Sequence, residues 1–182
     1  MLNTSVDKFM KKHIVAAAFV ALSGSVSAAP DVISDAVPQA TIVGEGKFTY
    51  YLWDVYKASL YAPNGKWEGA PPYALKLTYL RDLTGQKIAE RSTKEMRKQG
   101  GLDNAQLDEW DQKMKSIFPD VEEDDTLTGV ATDAGHTKFF FNGEPIGSVE
   151  DAEFTERFFG IWLSEKTSEP EFREKLLNGA SE

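Results

Sequence analysis

The chain of 182 residues contains no cysteine. Disulfide staples, thiol catalysis and cysteine-bound metal are thereby excluded, and packing alone must hold the fold. Histidine is nearly absent too, with two residues. His13 falls in a leader-like segment described below, so His136 in the turn-like DAGHTK is the one imidazole left, and a lone imidazole forms no multi-histidine metal site. Long apolar runs are missing: Ile14 to Leu22 falls far short of the roughly 20 residues that cross a bilayer as a helix. Positive charge is in deficit, 20 Lys and Arg against 29 Asp and Glu, a net −9. Such a surface repels nucleic-acid phosphates, and no nucleic-acid partner is expected. The glycines of VGEGKF are too few and wrongly followed to cradle a phosphate, and read as shaping the start of a strand. The acidic run DVEEDD at 120–125 lacks the ligand spacing and central Gly of a calcium loop and reads as a solvated turn. No metal or other cofactor is expected.

What is present begins with a leader. MKKHIVAAAFVALSGSVSA, from Met10 to Ala28, joins a basic start, a short apolar core and a small-residue end, the make-up of a secretory signal peptide cleaved after Ala28. Residues 1–28 are therefore set aside, and export to the periplasm is the expected fate. The 154 residues that follow carry 17 basic and 28 acidic side chains, enough chain for one domain. Residues 29–43, with two prolines and no sustained period, read as an extended lead-in to a single domain over 44–179.

Within that domain GKFTYYLWDVYKASLYAP is rich in aromatic and β-branched residues and ends at Pro63-Asn64-Gly65, so two strands or a long bent hairpin are expected. YALKLTYL alternates, with Leu75, Leu77 and Tyr79 on one face and Lys76 and Thr78 on the other, the mark of a half-buried strand. A helix is predicted from Thr84 to the Gly100-Gly101 stop, with Ile88, Ser92 and Met96 in line. The next is predicted from its Asp103 cap to Pro119, with Leu107, Trp110, Met114 and Ile117 on one side. Strands return with TLTGVAT and TKFFFNGEPIGSV, where Asn142-Gly143 signals a hairpin. Phe154, Phe158, Ile161 and Trp162 then recur at helical spacing. A last helix is predicted to begin at Ser168, capped by its hydroxyl with Glu171 reaching back, and to end at Gly179. This order predicts an α+β domain with helices packed on an antiparallel sheet.

Several stretches together, DVYKASLYAP, ALKLTYLRDLTGQKIAERSTKEM, FFNGEPIGSVED and FFGIWLSEKTSEPEFREKLL, resemble the exported bacterial branch of the chalcone isomerase-like family, from about Gly44 to Leu177. The resemblance implies an open-faced β-sandwich: a large antiparallel sheet, a layer of helices on it and a ligand cleft between. The family includes isomerases that close a chalcone to a flavanone and proteins that bind fatty acids. Where the isomerases place a substrate-polarising Arg, this chain has Phe48, with Lys47 beside it. Their strand Thr is matched by Tyr56, as in the fatty-acid-binding members, whose D-V-Y tyrosine helps to hold a carboxylate. Their helix Tyr and Asn become Ile88 and Glu95, and the last polar pocket residue falls near Ile161.

The set that would stabilise a developing enolate oxygen is thus replaced, and loss of one such donor alone costs on the order of a hundredfold. Glu95 is expected to repel a phenolate besides. Ile88 and Ile161 read either as core or as pocket wall. The resemblance therefore implies a non-catalytic protein that holds a small amphipathic ligand such as a fatty acid, with Lys47, Tyr56, Ile88, Glu95 and Ile161 as ligand-binding candidates and no catalytic residue. Lys47 and Tyr56 are the candidates to meet a carboxylate. The alternatives are an interaction protein with a filled cleft and, after it, an active isomerase.

Overall fold

Alternation of apolar and polar residues decides how the sheet is covered. In the computed structural model, which describes residues 29–179, β1 (Ala40–Tyr50), β2 (Trp53–Pro63), β3 (Tyr73–Tyr79), β4 (Thr126–Ala131), β5 (Thr137–Phe141) and β6 (Glu144–Val149) form one antiparallel sheet in sequential order. Tyr73, Leu75, Leu77 and Tyr79 of β3 point to one face together with Ala58, Leu60 and Ala62 of β2 and Leu127 and Phe139 of β4 and β5. That face is roofed by α2 (Gly85–Lys98), α3 (Asn104–Ile117), α4 (Ala152–Leu163) and α5 (Pro170–Asn178). The result is the expected open-faced sandwich. The opposite face presents Tyr61, Ala74 and Val130, which bury a second, smaller cluster with Ile33 and Val37.

That smaller cluster corrects the reading of residues 29–43. They are not an extended lead-in: α1 spans Asp31–Ala36 and β1 starts at Ala40. The carbonyl of Pro30 accepts from the amides of Ile33 and Ser34, and full burial of Ile33 and Val37 offsets the entropy of ordering so short a helix. The leader-like stretch before Ala29 lies outside the described residues.

Local chemistry explains most element ends. The hydroxyl of Thr84 accepts from the amide of Lys87, and the Asp103 carboxylate from that of Gln106, each satisfying a first-turn donor. Asp151 caps α4 through the amides of Glu153 and Phe154 and, with its other oxygen, accepts the indole N–H of Trp110 at 3.1 Å, tying α4 to α3. Asn142 and Gly143, at φ 49° and 87°, form the tight β5–β6 turn. His136 closes the β4–β5 turn, its backbone bonded to Thr132. In the acidic run, Asp120 accepts from the Gly85 amide and Asp125 from the Glu122 amide and the Asn142 side chain. The start of α5 departs from expectation: Glu169 is its N-cap, and Ser168 makes no capping bond. Pro170 occupies the first helical position, where its missing N–H loses nothing, and the Ser168 hydroxyl is engaged elsewhere.

The two glycines of VGEGKF have a role different from shaping a strand start. Gly44 and Gly46 lie within β1, and a Cβ on Gly44 would run into the backbone carbonyls of Lys175 and Leu176, while one on Gly46 would strike the ring of Phe172. Their bare backbone lets α5 rest on the strand and seats Phe172 and Leu176, both buried. Gly44→Ala should lower unfolding free energy by about 1–3 kcal/mol through this overpacking, measured by urea denaturation. A midpoint equal to that of the parent chain would remove the close-approach argument.

Candidate functional site

Between the edge of the sheet and the helical roof lies a cavity of about 320 Å³, within the range of small-ligand sites. Its floor is a cross-strand aromatic row. Phe48 of β1 pairs with Tyr56 of β2, which pairs with Tyr79 of β3. The rings of Phe48 and Tyr56 stack at 5.1 Å, and Tyr79 meets Tyr56 edge-on at 6.1 Å. The roof comes from one face of α2, with Ile88, Arg91 and Glu95, from Phe158, Ile161 and Trp162 of α4, and from Phe172 of α5. Side chains three and four apart on α2 share that face, which is why Ile88, Arg91 and Glu95 arrive together.

Four of the five expected residues therefore meet at one place. Tyr56, Ile88, Glu95 and Ile161 all line the cavity, and the two isoleucines are at once packed on the core and part of its wall. Lys47 is the exception. The two-residue period of β1 that turns Phe48 inward turns Lys47 to the other face. There its ammonium binds Asp54 at 2.6 Å, half exposed and outside the cavity wall.

Tyr56 is the hydroxyl of the floor. It accepts the indole N–H of Trp162 at 3.0 Å, and among the described residues no acceptor takes its own proton, which stays available to a ligand. Burial pushes the phenol well above its ordinary pKa of 10.0, only partly offset by the Trp162 hydrogen bond, so it is a neutral donor at any physiological pH.

Glu95 is not the bare repelling carboxylate that its place in the resemblance implied. Although buried, it binds the Nε of Arg91 at 2.8 Å, the ammonium of Lys98 at 2.9 Å and the hydroxyl of Ser168 at 2.6 Å. Burial pushes its pKa up, but the Ser168 and Lys98 hydrogen bonds and the charges of Arg91 and Lys98 outweigh that and hold it below the usual 4.5. Two cations on one carboxylate leave this part of the wall with no net negative charge.

The residue that sequence reasoning missed is Arg81. It follows β3 two positions after Tyr79, so alternation carries it to the cavity side with Leu77 and Tyr79, and it lines the wall. Its guanidinium lies over the Trp53 ring at 5.1 Å. Its Nε is buried without a hydrogen-bond partner, and among the described residues no carboxylate pairs with it. The signal was present in LKLTYLR, whose alternation runs on past the strand. Among the described residues no group of three or more His, Cys, Asp or Glu could hold a metal ion.

The comparisons agree with this architecture. A model of the chalcone isomerase-like family matches residues 34–178, and the chain belongs to that family. A curated relative from Haemophilus influenzae, described as an uncharacterized protein, is 28% identical over 137 residues; the match covers 74% of this chain and 66% of the relative. The crystal structure of a fatty-acid binding protein of Arabidopsis thaliana superposes with a TM-score of 0.60 at 15% identity, covering 78% of this chain and 88% of that one. At that identity the likeness is one of fold.

The Glu95 cluster makes a pH prediction. A carboxylate held below its ordinary pKa contributes stability that is complete above pH 4.5 and is lost as pH falls through the lowered value. Glu95→Gln should lose about 1–3 kcal/mol at neutral pH, and the gap from the parent chain should narrow below pH 4.5. Urea unfolding of both chains across that range checks it. A gap independent of pH would contradict the assignment.

Proposed function

We propose that this chain is a non-catalytic carrier or receptor for a small amphipathic ligand with an acidic head, of which a fatty acid is the simplest case. The observation that carries this reading is the partly buried guanidinium of Arg81, without an acidic partner among the described residues, on the wall of a cavity whose floor and much of whose roof are aromatic and aliphatic. A buried cationic donor without a partner is costly to leave so, and a carboxylate or similar anion satisfies it with charge-assisted hydrogen bonds. Arg81 takes the part first expected of Lys47. The Tyr56 hydroxyl is a second donor, farther along the aromatic floor, and Ile88, Ile161 and Phe172 line the path of an alkyl chain.

The open cavity weighs against the filled-cleft alternative. Against an isomerase stand Phe48, Ile88 and Ile161, apolar where the resemblance puts hydrogen-bonding groups, so the isomerases' arrangement of donors around a developing enolate is not reproduced at those positions. Ligand binding by the Arabidopsis neighbour of the same fold lends support by analogy. Export belongs to the same proposal and rests on the leader-like composition of Met10 to Ala28.

Laurate and its alcohol, dodecanol, provide the test in calorimetric titrations. The parent chain should bind both. Arg81→Gln, which removes the charge without breaking an ion pair among the described residues, should weaken laurate by about tenfold to a hundredfold while leaving dodecanol nearly unchanged. Absence of binding to either ligand by the parent chain would overturn the reading, and equal loss for both would remove Arg81 as the head-group residue.

A further inference from the structure

The tip of the β1–β2 hairpin puts four large side chains in a row into solvent. Tyr50, Tyr51, Leu52 and Trp53 are 46, 83, 93 and 63% exposed, and they are the exposed large hydrophobic residues of the described chain. Tight turns ordinarily take Gly, Asn or Asp. Here Tyr51 adopts φ 54°, a left-handed conformation unfavourable for a bulky side chain, and its ring stands edge-on to Tyr50 at 4.7 Å. Nothing in the fold is stabilised by exposing this group, so its composition points to a surface that covers it. Amphipathic Tyr and Trp around an aliphatic apex are the side chains that settle where water gives way to hydrocarbon.

Charge beneath the tip fits the same partner. The guanidinium of Arg91 lies over Tyr50 and that of Arg81 over Trp53, both 5.1 Å from the ring centres. The nearby Lys47 and Asp54 neutralise each other. Arg91 shares Glu95 with Lys98, and Arg81 has no acidic partner among the described residues. A chain of net charge −9 thus places two guanidinium groups directly under this aromatic tip, complementary to the phosphate layer of a lipid headgroup region. The tip is also continuous with the cavity, since Tyr50 and Trp53 belong to its wall.

We propose that the Tyr50–Trp53 tip docks at the polar–apolar boundary of a phospholipid bilayer, Leu52 and Tyr51 entering the acyl edge while Arg91 and, when the cavity is empty, Arg81 meet headgroup phosphates, so that the cavity opens on the lipid. The docking does not depend on what the cavity holds.

Flotation of the ligand-free full chain with phosphatidylcholine vesicles tests it, alongside quenching of tryptophan emission by phosphatidylcholine with brominated acyl chains. Trp53 is the one exposed tryptophan of the described chain, so quenching reports the tip. The parent chain should float and be quenched. Tyr51→Ser with Leu52→Asp should reduce partitioning by about tenfold or more and abolish quenching. Neither residue lines the cavity, so circular dichroism and laurate affinity should match the parent. Failure of the parent chain to float, or equal flotation and quenching by the variant, would overturn the proposal. So would a concentration-dependent dimer that these substitutions abolish without any vesicle binding, which would assign the tip to a second copy of the chain. A parent chain that floats but binds no laurate would leave docking standing and the ligand reading lost.

Discussion

The buried carboxylate of Glu95 ties two parts of the helical roof together, α2 and the segment that leads into α5. It sits on α2, holds Arg91 and Lys98 of the same helix, and receives the hydroxyl of Ser168 from the segment that leads into α5. A buried ion pair adds little net stability, because desolvation offsets its attraction, but breaking one is costly. Its effect here is positional. With Arg91 bound at Nε and its guanidinium over Tyr50, the charged wall of the cavity is held in one arrangement, and the loop before α5 is tied to the helix opposite.

The cavity follows from the balance between that tie and the packing around it. At the far side the aromatic cluster of Phe118, Phe139, Phe154 and Phe158 fills the space between roof and sheet, with Phe154 and Phe158 stacked at 5.4 Å. At the β1 end α5 rests directly on Gly44 and Gly46. Between these two contacts the roof cannot close on the floor, and the gap is bounded by Phe48, Tyr56 and Tyr79 below and Ile88 and Ile161 above. In a chain without cysteine, these packed contacts do the work that staples do elsewhere. Function on this view is a consequence of incomplete packing at one end of a sandwich that is well packed at the other.

Much of the fold could be read from the residues. Alternation in YALKLTYL, the Asn142-Gly143 turn, the Asp103 cap and the helical spacing of Phe154, Phe158 and Trp162 are local signals, and each element stands where they put it. The candidate site was legible in part: Tyr56, Ile88, Glu95 and Ile161 converge as the resemblance implied. Lys47 did not, because neighbours on a strand face opposite ways, and Phe48 has the inward position. Arg81 went unnoticed because its alternation continues beyond the strand, where polar residues are ordinarily read as loop. Ser168 matched a capping-box pattern, yet its hydroxyl found a buried carboxylate 73 positions away in sequence, a competitor that no local pattern contains.

The sequence by itself determined the order of elements after residue 43, the β5–β6 hairpin and the exclusion of cysteine chemistry, because these rest on composition and on spacings within one element; the family came from the likeness of several stretches taken together. Only the tertiary structure decided that α1 exists, that two glycines serve as a seat for α5, that Glu95 is neutralised rather than repelling, and that Arg81 faces an open cavity without an acidic partner among the described residues. Each of these depends on groups far apart in the chain being brought within a few ångströms, and on the desolvation that accompanies their contact, neither of which is encoded in any short stretch of residues.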